Sequence, residues 1–232
     1  KWWQKMIKNN DIIEIDLIVK DNNTKEMLDT TYEDVAKKEN IYSEKITYTP
    51  LKVVFGTGEL LATVEENIKD LEESKQKTFS LKKEQAFGDK DTKNIKIMSM
   101  NDFKKEKINP MPGMHINFGN TTGKIISVSG GRVQVDFNHD FAGKDLEYTI
   151  EVKKIYNNDE QKITGLLKKF FYFVPEEQIN KTITDKTVEI TIPPGMPKEM
   201  EYLKNMFCKF VYDITNFENV KFSEIYKRQE KK

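Results

Sequence analysis

The segment that most restricts what this chain can fold into is residues 129–143, SGGRVQVDFNHDFAG. Gly130 and Gly131 stand between two alternating stretches, and a paired-glycine turn accepts positive φ at both positions, as a two-residue β-hairpin requires. Val133, Val135 and Phe137 then alternate with polar residues, so one face of the second strand is expected to be buried. That strand runs into a short loop, residues 138–143, and a further strand is expected over residues 146–152.

Upstream, residues 12–19 alternate apolar positions with Glu14 and Asp16, and Asp21, Asn22 and Asn23 supply a turn, which predicts a hairpin. Tyr32, Val35 and Ala36 form a short helical face, and residues 46–55 read as extended up to Gly56 and Gly58. Over residues 59–71 the apolar positions Leu60, Leu61, Val64, Ile68 and Leu71 approach a 3.6 period, predicting an amphipathic helix that needs a sheet to pack on. Residues 78–81 predict a strand, and Ala86, Phe87, Gly88 and Asp89 end it in a loop.

The texture then changes. A short strand at 95–98, a charged helical turn at 102–107, a breaker at Pro110, Pro112 and Gly113, and three strands ending in the glycine hairpin predict a small inserted β domain. After Tyr156, residues 157–161 read as linker and helix cap, with Ile163, Leu166, Leu167, Phe170 and Phe171 as one helical stripe behind them. Extended stretches near 181–184 and 188–192, a proline and glycine breaker at 193–197, a helix over 198–213 and a strand at 220–226 suggest an α+β domain of order αββαβ. The expected division is residues 1–92 with 139–156 as one domain, an insert at 93–138, and a C-terminal domain at 157–232. The aromatic load of that last domain, including Phe170, Phe171, Phe173, Phe207, Phe210 and Tyr212, fits either core packing or a homodimer.

Composition narrows the function classes. Lysine plus arginine and aspartate plus glutamate both total 38, and the two signs also balance closely on either side of Tyr156. The basic excess that phosphate binding needs is missing, which argues against nucleic acid as a partner. The one cysteine, Cys208, has no internal disulfide partner and lies on an expected apolar helix face, the setting of an inert thiol. No apolar run approaches the roughly 18 residues of a membrane span. The start, KWWQKMIKNND, lacks the apolar core of a signal peptide, so a cytoplasmic location without membrane attachment is expected. The chain begins without methionine, which implies residues before Lys1.

An ordered set of anchors runs through the chain: Leu28 and Asp29 followed by Thr30 and Thr31, GTGELL at 56–61, AFGDKD at 86–91, the hairpin SGGRVQVDF, and the loop NHDFAG. The set resembles the FKBP-type peptidyl-prolyl cis-trans isomerases over residues 12–152. Within them it is similar to the SlyD-like branch, whose flap reads NHxLAG and carries an inserted domain, and to the long archaeal type with an extra C-terminal domain. The resemblance implies an α+β fold: an FKBP-like antiparallel half-barrel around one helix, with an inserted small β domain and a C-terminal α+β domain. It also implies rotation about the peptide bond before proline in unfolded or proline-containing polypeptides, against an uncatalysed barrier of about 18–20 kcal/mol.

Twisting an amide reduces its polarity, so a dry apolar pocket favours the twisted form without nucleophile, metal or proton transfer. The resemblance places this pocket at Leu17, Leu28, Asp29, Leu60, Leu61, Val64, Phe87 and Tyr148, with His139, Phe141 and Ala142 in the flap and His139 as a local hydrogen-bonding partner. Of the family pattern the rim Asp survives as Asp29. Leu17 stands for a Tyr, Leu28 for a Phe, Phe87 for a Tyr, Val64 for the floor aromatic, Thr63 for a Gly, Leu61 for an Ile and Tyr148 for a Phe. Apolar character is kept while aromatic bulk and hydroxyl donors are lost, so low isomerase activity is expected.

In the insert, Met98, Met100, Met111 and Met114 crowd beside Phe103, Ile108 and Ile116. Flexible thioethers suit a surface that holds many apolar sequences, and equally suit the core of a small domain. Related inserts act as chaperones, so Met98, Met100, Phe103, Met111 and Met114 are the candidate client surface. His115 and His139 lack cysteine or acidic partners at ligand spacing, and neither a metal nor a cofactor is expected. Two functions therefore compete: an isomerase and folding helper, favoured by Asp29 and the flap, and a catalytically silent holding chaperone or scaffold, favoured by Val64 and Leu17.

Overall fold

The structure, a computed structural model, describes residues 6–119, 121–195, 197 and 200–226. The chain forms two compact units: residues 1–19, 29–79 and 148–232 in one, residues 20–28 and 80–147 in the other. Among the described residues no helix is long and apolar enough to cross a membrane.

In chain order, β1 (Ile12–Asp21) and β2 (Met27–Thr30) are followed by α1 (Glu33–Lys38), β3 (Leu51–Val54) and α2 (Ala62–Ile68). With β4 (Gln76–Leu81) and a later strand, 146–156, they make a five-stranded sheet of order β2, β1, 146–156, β4, on which β3 pairs antiparallel with β1 from Ile12 opposite Val54 to Ile15 opposite Leu51. The alternation read over 12–19 is realised in β1, where Ile13, Ile15, Leu17 and Val19 are buried.

Two expected elements come out shorter. The helix expected over 59–71 begins only at Ala62, because Gly56 and Gly58 take positive φ and Glu59 is committed elsewhere, its carboxylate accepting the Val54 N–H at 3.0 Å and the Lys169 ammonium at 3.0 Å. The extended stretch expected over 46–55 pairs only at Leu51–Val54. Before it, residues 43–48 turn on the Ile46 N–H to Ser43 carbonyl bond, the Ser43 N–H bond to the Tyr48 hydroxyl and the Tyr42–Tyr48 ring stack, and Pro50 has no N–H to pair.

The smaller unit holds β5 (Ile95–Ser99), α3 (Met100–Lys105), β6 (His115–Phe118), β7 (Thr121–Ser129) and β8 (Arg132–Asp136). They form a four-stranded antiparallel sheet of order β5, β8, β7, β6. The glycine hairpin joins β7 to β8 with φ of 56° at Gly130 and 75° at Gly131, the conformation inferred from sequence. Phe103, Ile116, Ile125, Val133 and Val135 are its core. Gly123 on β7 has no room for a side chain, since a Cβ there would lie 2.5 Å from Val135 Cγ1 and 2.9 Å from Phe137 Cε1.

β9 (Leu146–Tyr156) runs past the expected 146–152, because Ile155 and Tyr156 are buried and the Tyr156 hydroxyl donates to Glu14 at 2.6 Å. Asn158 then caps α4 (Asp159–Phe170), accepting the Gln161 N–H at 2.9 Å. The apolar stripe of α4 packs with Ile12, Val54 and Tyr156 in one cluster, so the core after residue 156 includes side chains of β1, β3 and β9. Gly165 permits that approach, a Cβ there meeting Ile12 Cγ2 at 3.0 Å and Tyr156 Cδ2 at 3.2 Å. β10 (Asn180–Thr184) and β11 (Thr187–Ile192) form a hairpin, α5 (Met200–Ile214) crosses over, and β12 (Asn219–Glu224) pairs parallel to β11. A parallel pair needs such a crossover. The helix start expected at 198 lies outside the described residues, as does Met196 of the breaker. Phe170, Phe171 and Phe207 are buried, whereas Phe173 and Tyr212 are 46% and 49% exposed. Cys208 is a half-buried free thiol, raised above its ordinary pKa by burial.

Gly123→Ala should cost about 1–3 kcal/mol through overpacking, seen as a lower urea midpoint with an unchanged denaturant slope.

Candidate functional site

Candidate residues of the larger unit gather around β1, β2 and β9. Leu17 is pinned by its backbone: its N–H donates to Thr31 Oγ1 at 3.0 Å, and its carbonyl accepts the Thr31 N–H at 3.0 Å and the Thr30 hydroxyl at 3.1 Å. The Thr31 hydroxyl donates onward to the buried Asp16 carboxylate at 2.8 Å. These bonds anchor the end of β2 beside Asp29, whose Oδ1 accepts the Thr30 N–H at 2.8 Å. Sequence reasoning singled out Asp29 but not the threonines that hold it, although the run Asp29-Thr30-Thr31 contained that signal.

Asp29 is exposed as a residue, yet its carboxyl is raised above the ordinary value because desolvation outweighs the Thr30 N–H. The Tyr148 hydroxyl is pushed up to about 12, first by burial and then by the Asp29 charge. Each therefore senses an apolar setting, and Tyr148 senses Asp29. The Tyr148 ring stacks on Phe79 with centroids 5.7 Å apart and planes within 12°. Phe79 was not among the residues picked from sequence; its place in the expected strand 78–81 was the available signal. Val64 is 2% exposed at the start of α2, with Leu60 and Leu61 half-buried just before it.

In the smaller unit, Leu28 is half-buried on β2 and the flap residues form an aromatic group with Phe87. The His139 ring lies flat on Phe87, centroids 3.8 Å apart and planes within 5°, and Phe141 meets both rings edge-on at 5.2 and 5.7 Å. His139 Nδ1 accepts the Phe141 N–H at 3.1 Å. The Ala142 N–H donates to the His139 carbonyl at 2.9 Å, and the Gly143 N–H ties the loop to the Gly88 carbonyl at 2.7 Å. His115 Nε2 and the Asp140 carboxylate make a hydrogen bond at 3.1 Å that sequence spacing did not reveal. The base of the loop is held by Asp136, where burial is opposed by Lys90 at 2.8 Å and by Asn138, leaving the carboxyl below its ordinary value.

The methionines of the insert divide. Met98 and Met100 pack against the core and Phe103, at 2% exposure, belongs to it, whereas Met111 and Met114 are 58% and 38% exposed. Ile97 and Ile126 are also exposed. A cavity of about 250 Å³ opens between α3 and β6, floored by Met98, Phe103, Ile108, Ile116 and Phe118. Among the described residues no three His, Cys, Asp or Glu side chains are placed to hold a metal ion.

The Asp29 shift sets a pH dependence. A carboxyl raised on folding binds its proton more tightly in the native state, so its contribution is full at low pH and is lost as pH rises from the unfolded value of about 4 through the folded one. Asp29→Asn should remove this loss, so the melting temperature of the variant relative to the parent should rise from about pH 3 to about pH 7.

Two comparisons bear on this geometry. A family model described as FKBP26, IF domain, matches residues 96–141. The chain is 33% identical over 150 residues to the short-type peptidyl-prolyl cis-trans isomerase of Methanocaldococcus jannaschii, an alignment covering 65% of this chain and 94% of that protein. With that relative matched over nearly its whole length, the chain belongs to the FKBP-type peptidyl-prolyl isomerase family.

Proposed function

We propose that this protein is a slow prolyl isomerase and folding helper, acting on proline-containing polypeptides. In this reading it is SlyD-like and of the long archaeal type, with residues 1–92 and 139–156 as the isomerase domain, 93–138 as an insert that holds unfolded chains, and 157–232 as a C-terminal domain. Leu17, Leu28, Asp29, Leu60, Leu61, Val64, Phe87 and Tyr148 line the pocket, and His139, Phe141 and Ala142 belong to its flap. A cytoplasmic site of action goes with this assignment, and the exposed Phe173 and Tyr212 support a homodimer through the C-terminal domain.

The observation that carries the reduced rate is the aliphatic character of Leu17 and Val64, both buried, at 7% and 2% exposure. An aromatic floor would add about 2–3 kcal/mol of burial for a bound proline ring, and each hydroxyl donor lost from the wall about 1 kcal/mol more. Desolvation at Asp29 and Tyr148 supports a dry wall of the kind that lowers the barrier to amide rotation. The same filled aliphatic positions favour a second reading, a silent holding chaperone or assembly scaffold.

Turnover of an alanyl-prolyl peptide should be detectable and at least about tenfold below that of an FKBP-type enzyme with an aromatic floor, since 1.4 kcal/mol is already tenfold. Turnover equal to such an enzyme overturns the reduced-pocket reading, and none at all favours the scaffold. Met111→Gln with Met114→Gln should abolish suppression of aggregation and leave the melting temperature within about 0.5 kcal/mol equivalence of the parent. Unchanged holding activity would remove the insert surface from the proposal.

A further inference from the structure

The flap contains a hydrogen-bond donor that the protein itself does not use. Because His139 Nδ1 accepts the Phe141 N–H at 3.1 Å, that nitrogen carries no proton, and the neutral imidazole must carry its proton on Nε2. Nε2 has no hydrogen-bond partner among the described residues, and His139 is exposed. The ring is not free to turn away: it is stacked flat on Phe87 at 3.8 Å and closed edgewise by Phe141 at 5.2 Å. The other histidine differs in this respect, since His115 Nε2 is occupied by the Asp140 carboxylate.

A prolyl peptide bond has no N–H of its own, so the polar groups it offers are carbonyl oxygens, and a site that orients it needs donors. We propose that His139 Nε2–H donates to a backbone carbonyl of the polypeptide substrate, making His139 a substrate-orienting residue set on an aromatic platform of Phe87 and Phe141. The proposal rests on the isomerase reading above.

Two variants of the full chain separate the roles. His139→Asn keeps an acceptor for the Phe141 N–H but loses the donor at Nε2, and should lower kcat/KM by about fivefold to tenfold, the worth of one neutral hydrogen bond. His139→Gln carries an amide N–H at the reach of Nε2 and should recover most of that loss. Hydrogen exchange at the Phe141 amide should be unchanged in His139→Asn, which a merely structural role for the ring would not predict. Undiminished turnover in His139→Asn, or a nitrogen-15 imidazole spectrum with the proton on Nδ1, overturns the proposal. If the parent shows no turnover the isomerase reading fails by itself. The donor is then judged by whether the Nε2–H resonance moves when an alanyl-prolyl peptide is added, and no movement ends it.

Discussion

The architecture depends on a strand, β1, whose two faces are both committed. Ile13, Ile15, Leu17 and Val19 bury one side, while Ile12 on the other belongs to the cluster beneath α4. A strand covered on both faces cannot leave polar groups unpaired, and its three acids are answered: Glu14 by the Tyr156 hydroxyl, Asp16 by that of Thr31 and Asp21 by the Lys144 ammonium. Among the described residues no buried side-chain polar atom lacks a hydrogen-bond partner. The bond that satisfies Asp16 belongs to the set that anchors the chain just after Asp29, so packing and the setting of Asp29 share the same hydroxyl.

Much of this was legible because it is local. Alternation in β1, the paired glycines, the stripe of α4 and the cap at Asn158 are all patterns within one element, and each produced the element expected. What failed to show is set by partners distant in sequence. Nothing near Glu59 says that its carboxylate will serve Val54 and Lys169 and so delay the start of α2. The site follows the same rule. Asp29 and the flap could be picked from their motifs, but the Phe87–His139 stack and the His115–Asp140 pair join segments whose spacing carries no period. The methionines illustrate an ambiguity of composition, because the same residue type serves the core at Met98 and the surface at Met111.

Family membership and local chemistry answer different questions. The alignment assigns lineage and reaction class, while buried aliphatic side chains at Leu17 and Val64, an Asp29 carboxyl raised by desolvation and the exposed thioethers of Met111 and Met114 are features of this member's own. A catalyst that works by shape and dryness has no single group whose loss would silence it. Its rate is then graded by how much apolar contact and how many donors the walls retain, and small substitutions move it by increments.

The packing of α4 on Ile12 at Gly165 has a consequence for biosynthesis. β1 leaves the ribosome with one greasy flank bare until a helix encoded far downstream arrives, a wait on the order of ten seconds or more at about 5–20 residues per second. During translation the nascent protein thus carries an unsatisfied apolar flank of its own, open to any neighbour that can cover it.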